Sequence, residues 1–202
     1  VILPSDSVAH RHIPRADRLA GMADGLPVGS EAPAVSAPLV TADGAVETVP
    51  LESLYKERAI LLTFYTNDFT PDCIEEWCSF RDYEWFATDD RVDVVGVSKS
   101  RPSTHKRFIN RLDLSFPLYS DRDLAIADAF DVTYRVFKLL PRARRSCFLI
   151  DTDGRIRYKW LAEHRIDPTR DTPNMHDLRM AIEEALGGVD QEQFGLDGIG
   201  RG

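Results

Sequence analysis

The chain has 202 residues, of which 43% are hydrophobic and 29% are charged, and it carries a net charge of −8. This length is typical of one globular domain with tails and is sufficient to bury a sizeable core. The acidic balance argues against nucleic acid and anionic membranes as partners. No apolar run approaches the ~20 residues of a membrane helix, and no signal-peptide core lies near the start, so we expect a cytoplasmic protein.

Both ends of the chain have the composition of tails. Residues 1–28 are polar without a clear period, and 187–202 are rich in glycine, so both predict flexible segments around a single domain at 29–186. His10 and His12 lie in the first of these segments. Two histidines without further ligands favour a solvated tail over a metal site.

Strands and helices alternate between the tails. The predicted strands are 59–65, 92–97, 116–119, 146–150 and 155–160, and the predicted helices are 70–86, 103–112, 124–130 and 175–186. The order βαβαβαββα predicts an α/β fold with a mixed central sheet and helices on both faces. Its closing hairpin and helix are typical of a thioredoxin-like fold. Because function in open α/β sheets lies at the carboxyl ends of strands, the loop after strand 59–65 is the predicted site.

That loop leads to a cysteine at the start of a helix. Thr70 is a suitable N-cap, Pro71 fits the first helical position, and Cys73 follows in the first turn. The unpaired amides and the macrodipole of a helix N-terminus stabilise a thiolate. The Thr70 hydroxyl has two possible roles: it can cap the helix, or it can hydrogen-bond a molecule bound beside the thiolate.

A thiolate at this position needs a cation. Asp72 and Glu75 oppose its negative charge. The candidate cations lie in the Arg142–Arg145 segment, just before strand 146–150. The sheet topology can bring this segment beside the Cys73 loop. The alternative is that the segment is a solvated loop. Cys147, alone in the next strand, is expected to be a buried inert thiol.

Three segments together resemble one protein family. Segment 64–73 resembles the active-site loop of the peroxiredoxins of the AhpC/TSA type, and 73–82 resembles their bacterioferritin-comigratory or Q-type branch. Segment 145–151 resembles the family's Arg-Ser-Thr-Phe-Leu-Ile-Asp stretch. The similarity extends from about residue 29 to 186.

The resemblance implies residue roles. It makes Cys73 the peroxidatic nucleophile and Cys78 the resolving cysteine. It makes Arg145 the active-site cation and Glu76 the acid that orients this cation. Thr70 completes the set of catalytic residues. It implies a thiol peroxidase that reduces hydrogen peroxide or alkyl hydroperoxides and is recycled by thioredoxin or a similar reductant. It implies no metal or organic cofactor, and we expect a monomer or weak dimer.

The chain departs from the family at two positions. Thr66 replaces a proline, which predicts a more flexible, wetter pocket and slower peroxide chemistry, unless its hydroxyl makes a contact of its own. Cys147 replaces a threonine, and we favour a structural thiol over a second resolving role. These departures leave two alternatives open: a redox sensor with little turnover, and a thiol–disulfide oxidoreductase, although the latter usually has Cys-x-x-Cys.

The spacing of Cys73 and Cys78 implies a motion. Residues five apart on an α-helix differ by about 140° in direction and ~7.5 Å in height. A disulfide needs Cα atoms within ~7 Å of each other. The first turns of the helix must therefore unwind before the two cysteines bridge.

Overall fold

The computed structural model describes residues 24–136, 140–163 and 170–187. Within these ranges the strands are β1 (Ser36–Val40), β2 (Val46–Pro50), β3 (Ala59–Phe64), β4 (Val92–Ser98), β5 (Leu118–Ser120), β6 (Thr133–Val136), β7 (Leu140–Ala143), β8 (Ser146–Ile150) and β9 (Ile156–Leu161). The helices are α1 (Leu51–Tyr55), α2 (Pro71–Asp82), α3 (Trp85–Thr88), α4 (Pro102–Leu112), α5 (Ala125–Ala129) and α6 (Met175–Ala185).

Seven strands form one mixed sheet with β3 near its centre. The strand order is β2-β1-β5-β4-β3-β8-β9. Strand β3 runs parallel to β4 and antiparallel to β8. Every residue of β3 is buried, as its continuous apolar sequence predicts for a strand covered on both faces. The predicted mixed sheet is thus confirmed.

Alternate residues of β3 face two separate helical layers. Leu61 belongs to a core built with buried residues of α2, α4 and α6. Ile60 and Leu62 belong to a second core, closed by Leu51 of α1 and by residues of α5. This alternation follows from the period of two along a strand. It confirms helices on both faces.

The helix predicted over 70–86 is interrupted near its end and forms two helices. Helix α2 ends at Asp82, and Tyr83 has an extended backbone with φ −86° and ψ 96°. The short helix α3 then turns back. The break lets Phe86 pack against Phe80 with their ring centroids 5.1 Å apart, whereas six residues on a continuous helix would point them about 120° apart.

The sequence reading missed two hairpins and a short helix. Strands β1 and β2 form one hairpin, and β6 and β7 form another outside the main sheet. Strand β2 is mostly exposed and has no buried alternation, so its sequence lacks the pattern that predicts a strand. Helix α1 is only five residues long.

The described part of the predicted N-terminal tail is attached to the domain. The Gly25 amide donates to the Asp131 carbonyl at 2.9 Å, and the Leu26 amide donates to the Phe130 carbonyl at 3.1 Å. These bonds attach Gly25 and Leu26 to the chain that follows α5. The rest of both predicted tails, with His10 and His12, lies outside the described residues.

A glycine on β4 makes room for the helix that carries the cysteines. A Cβ built at Gly96 would lie 2.5 Å from Trp77 and 2.5 Å from Leu118. The Trp77 indole therefore packs directly over the backbone of β4 and meets Tyr65 edge-on at 5.3 Å. This close approach fixes the height of α2 above the sheet.

No helix among the described residues is long and apolar enough to cross a membrane.

Candidate active site

Cys73 lies in the first turn of α2, directly after the loop that leaves β3. Thr70 has the extended N-cap conformation with φ −77° and ψ 145°, and Pro71 takes the first helical position. The Cys73 amide donates to the Thr70 carbonyl at 3.1 Å, and the side chain is fully buried. The sulfur therefore lies at the positive end of the helix dipole, shielded from water.

Arg145 supplies the cation that this sulfur needs. Because β3 and β8 are antiparallel, Phe64 at the end of β3 pairs with Ser146 at the start of β8. Arg145 immediately precedes that start and is completely buried, and its Nη2 donates to Cys73 Sγ at 3.4 Å. The sheet register thus brings together two residues that are 72 positions apart, as predicted for one member of the Arg142–Arg145 segment.

Glu76, one turn after Cys73, holds the guanidinium. Arg145 Nη1 donates to Glu76 Oε2, and the carboxylate is buried with 1% exposure. Burial raises the pKa of Glu76 to about 7, although Arg145 acts in the opposite direction. Desolvation alone would lower the pKa of Arg145, but Glu76 and Cys73 outweigh it and the pKa is raised. The guanidinium therefore stays charged.

The raised pKa of Glu76 has a consequence for stability. A carboxyl whose pKa is about 7 in the folded protein and 4.5 in the unfolded chain adds stability that is complete below pH 4.5. This contribution disappears as the pH rises through 7. We expect the free energy of unfolding of the wild type to fall by ~3 kcal/mol over this interval relative to Glu76→Gln.

Urea denaturation of both proteins from pH 4.5 to 8 measures that difference, with Glu75→Gln, an exposed neighbour, as the matched control. Glu76→Gln should also oxidise Cys73 about tenfold more slowly than the wild type at pH 8, because Arg145 loses a charge-assisted bond that orients it. Parallel pH profiles for wild type and Glu76→Gln would contradict the account.

The Thr70 hydroxyl does not cap α2. The helix start has no side-chain capping bond, and Thr70 Oγ1 donates instead to the Asn67 carbonyl at 3.4 Å. The predicted capping role is therefore wrong. The hydroxyl closes the turn from Asn67 to Thr70 and does not bond the helix amides. Its contact with peroxide stays a prediction.

Thr66, at the family's proline position, contacts the nucleophile. Its Oγ1 lies 3.4 Å from Cys73 Sγ. Toward a thiolate the hydroxyl donates, so the sulfur meets a second hydrogen-bond donor besides Arg145. The substitution adds a polar contact with the nucleophile, whereas the alternative kept in the sequence analysis was a contact with the substrate or with Thr70.

The Thr66 hydroxyl is expected to assist the reaction. Thr66→Val keeps the branched shape and removes the donor, so we expect Cys73 oxidation to slow about tenfold, the effect of one hydrogen bond to a charged group. Thr66→Ser is the matched control and should retain most of the rate. Stopped-flow tryptophan fluorescence measures both. A valine variant as fast as wild type would leave the hydroxyl without a role.

A cavity opens on the far side of Thr66. Its volume is about 220 Å³, and its lining is part apolar and part basic: Thr66, Asn67, Lys99, Leu124, Leu140, Pro141, Arg142 and Ala143. Strand β7 of the unpredicted hairpin provides half of this lining. The cavity leads from solvent to the residue that contacts Cys73 Sγ.

The two other cysteines have different surroundings. Cys78 is half-buried in α2, five residues beyond Cys73. Cys147 is fully buried in β8, where its Sγ accepts a bond from the Thr63 hydroxyl at 3.7 Å. Burial raises the pKa of the Cys147 thiol. These surroundings favour the structural role expected for Cys147.

The chain matches known proteins over most of its length. The model of the AhpC/TSA family matches residues 28–159. Peroxiredoxin Bcp of Bacillus subtilis is 40% identical over 119 residues, which are 56% of this chain and 74% of the relative. Peroxiredoxin Bcp of Escherichia coli is 34% identical over 156 residues, which are 76% of this chain and 92% of the relative.

A solved structure confirms the fold. Peroxidoxin BcpB of Mycobacterium tuberculosis superposes with a TM-score of 0.63 at 24% identity, covering 80% of this chain and 97% of its own. The family match spans the Cys73 loop, α2 and β8. The chain therefore belongs to the AhpC/TSA family, among the Bcp-type peroxiredoxins, which are thiol-dependent peroxidases.

Proposed function

We propose that Cys73 is the residue that reduces peroxide in this protein. The observation that carries the proposal is the Cys73 sulfur at the N-terminus of α2, 3.4 Å from Arg145 Nη2. The Cys73 thiolate attacks one oxygen of the O–O bond, and the bond breaks. The other oxygen leaves with the electron pair, takes up a proton and becomes water or an alcohol. Cys73 becomes a sulfenic acid.

The surrounding residues stabilise the charge that moves during this step. Arg145 faces the sulfur and is available to the developing oxyanion, and Glu76 fixes its orientation. Thr66 offers a hydroxyl donor on the side of the cavity. Because Cys73 and Arg145 are buried, their interaction is stronger than it would be at the surface. Thr70 is proposed to bind peroxide through its hydroxyl.

Cys78 is proposed to resolve the sulfenic acid. Its thiol condenses with Cys73, forming an intramolecular disulfide and releasing water. A thioredoxin-like protein then reduces the disulfide. The half-buried position of Cys78 in the same helix supports this role. A cytoplasmic location and a monomeric or weakly dimeric state remain predictions.

Steady-state peroxide consumption tests the proposed function. The protein, thioredoxin, thioredoxin reductase and NADPH are mixed with hydrogen peroxide, and NADPH oxidation is followed. We expect many turnovers per Cys73. Stoichiometric oxidation without further turnover would favour a redox sensor instead. Reduction of insulin disulfides without any peroxide would favour a thiol–disulfide oxidoreductase.

A further inference from the structure

The loop between β3 and α2 is anchored by a buried polar cluster that the proposed chemistry does not use. Asp68 of this loop lies 3.0 Å from His105 Nδ1 through its Oδ2, and both side chains are fully buried. Tyr65 donates its hydroxyl to Asp68 Oδ1 at 2.7 Å. The Asp68 amide donates to the Ser100 hydroxyl at 2.9 Å.

His105 ties this cluster to β5. Its Nε2 lies 3.1 Å from the Tyr119 carbonyl oxygen, which only accepts, so Nε2 carries a hydrogen. Its Nδ1 lies 3.0 Å from Asp68 Oδ2 and 3.4 Å from the Tyr65 hydroxyl. The buried imidazole therefore connects the loop to β5 and contacts both polar side chains of the cluster.

This anchor holds the adjacent backbone in a costly conformation. Phe69 has φ 61°, in the left-handed region that aromatic residues rarely adopt. Its side chain is 42% exposed and meets Phe108 edge-on with the ring centroids 5.2 Å apart. Strain of this kind persists only where the surroundings over-determine it. Loss of the Asp68 anchors would let the loop relax away from the geometry that positions Thr66 and Cys73.

We propose that Asp68 and His105 are positioning residues whose buried contacts fix the loop before α2 and thereby set how readily the first turn of α2 unwinds. The inference rests on the proposed function. In the closed loop Cys73 contacts Thr66 and Arg145, the geometry for attack on peroxide. In the unwound helix it reaches Cys78. The anchor favours the first state over the second.

The fate of the Cys73 sulfenic acid measures this balance. In the closed state a second peroxide molecule oxidises it to sulfinic acid and is itself reduced to water or an alcohol. In the unwound state it condenses with the Cys78 thiol, giving a disulfide and water. At a fixed peroxide concentration, the ratio of disulfide to sulfinic acid therefore reports how often α2 opens.

The test compares Asp68→Ala, Asp68→Asn and wild type after the same excess of hydrogen peroxide, with the two products counted by mass spectrometry. The alanine variant loses the bond from Tyr65 and the contact with His105, and we expect the ratio to rise about tenfold. Asparagine keeps the shape of the side chain and an oxygen that accepts from Tyr65, so a smaller rise is expected. Asp123→Asn, the same change at an exposed aspartate elsewhere in the domain, is the control.

The outcomes separate this inference from the proposed function. Native tryptophan fluorescence identifies the variants that are folded. If the alanine variant does not fold, the isosteric asparagine variant provides the measurement. An unchanged or lower ratio in the folded variants would overturn the positioning role. If peroxide does not oxidise Cys73 in the wild type, the proposed function itself fails.

Discussion

Replacing Cys73 by Ser is expected to abolish peroxide consumption. A serine hydroxyl in the same place stays protonated at neutral pH and is a poor nucleophile toward an O–O bond, whereas the reactive form of cysteine is the thiolate. The loss should be complete within the background of the assay, because the other two thiols lack the Cys73 surroundings. Consumption of hydrogen peroxide with the thioredoxin system measures it.

Cys147→Ser is the matched control for that experiment. Cys147 is as fully buried as Cys73, but its sulfur meets the Thr63 hydroxyl, and burial raises the pKa of its thiol. The control should retain turnover close to wild type. Wild-type turnover in Cys73→Ser, or its loss in Cys147→Ser alone, would move the nucleophile to another residue.

Replacing Cys78 by Ser is expected to stop cycling after a single oxidation. Cys73 should still react once with peroxide at a rate near wild type, because Cys78 lies five residues further along α2 and is not among the groups that contact the Cys73 sulfur. Without a resolving thiol the sulfenic acid persists and becomes sulfinic acid in excess peroxide. Turnover supported by thioredoxin should fall to background.

Peptide mapping of the oxidised wild type provides the complementary result. We expect a bridge between Cys73 and Cys78 as the main product. A dominant bridge between Cys73 and Cys147 would refute the assignment and make Cys147 the resolving residue.

The central elements were predictable because their sequences carry a clear local pattern. Strand β3 is a continuous apolar run, and the Thr70–Pro71 pair marks the start of α2. The hairpin β6–β7 carries no such pattern, because it stands outside the main sheet and two of the four residues of β7 are proline and arginine. Its role as a wall of the cavity therefore became visible only in the structure.

The site was predictable to the extent that short-range rules and the family resemblance covered it. The helix start indicated Cys73, and the resemblance supplied Arg145 and Glu76. Asp68 and His105 lie 37 positions apart and carried no spacing signal, so nothing in the sequence paired them. The contact of Thr66 with the sulfur depends on a loop conformation that includes the left-handed Phe69, which local propensity disfavours.

The packing of Trp77 over Gly96 has a consequence for how variation in this chain should be interpreted. Gly96 has no functional group and does not contact Cys73, yet any side chain there would collide with the Trp77 indole at 2.5 Å. Gly96→Ala would displace α2, and a mutational screen based on peroxide resistance would score position 96 as if it were part of the active site. Intolerance of substitution at position 96 would then reflect the close packing of α2 on β4. Selection for catalysis would appear in the sequence as selection for a glycine outside the active site.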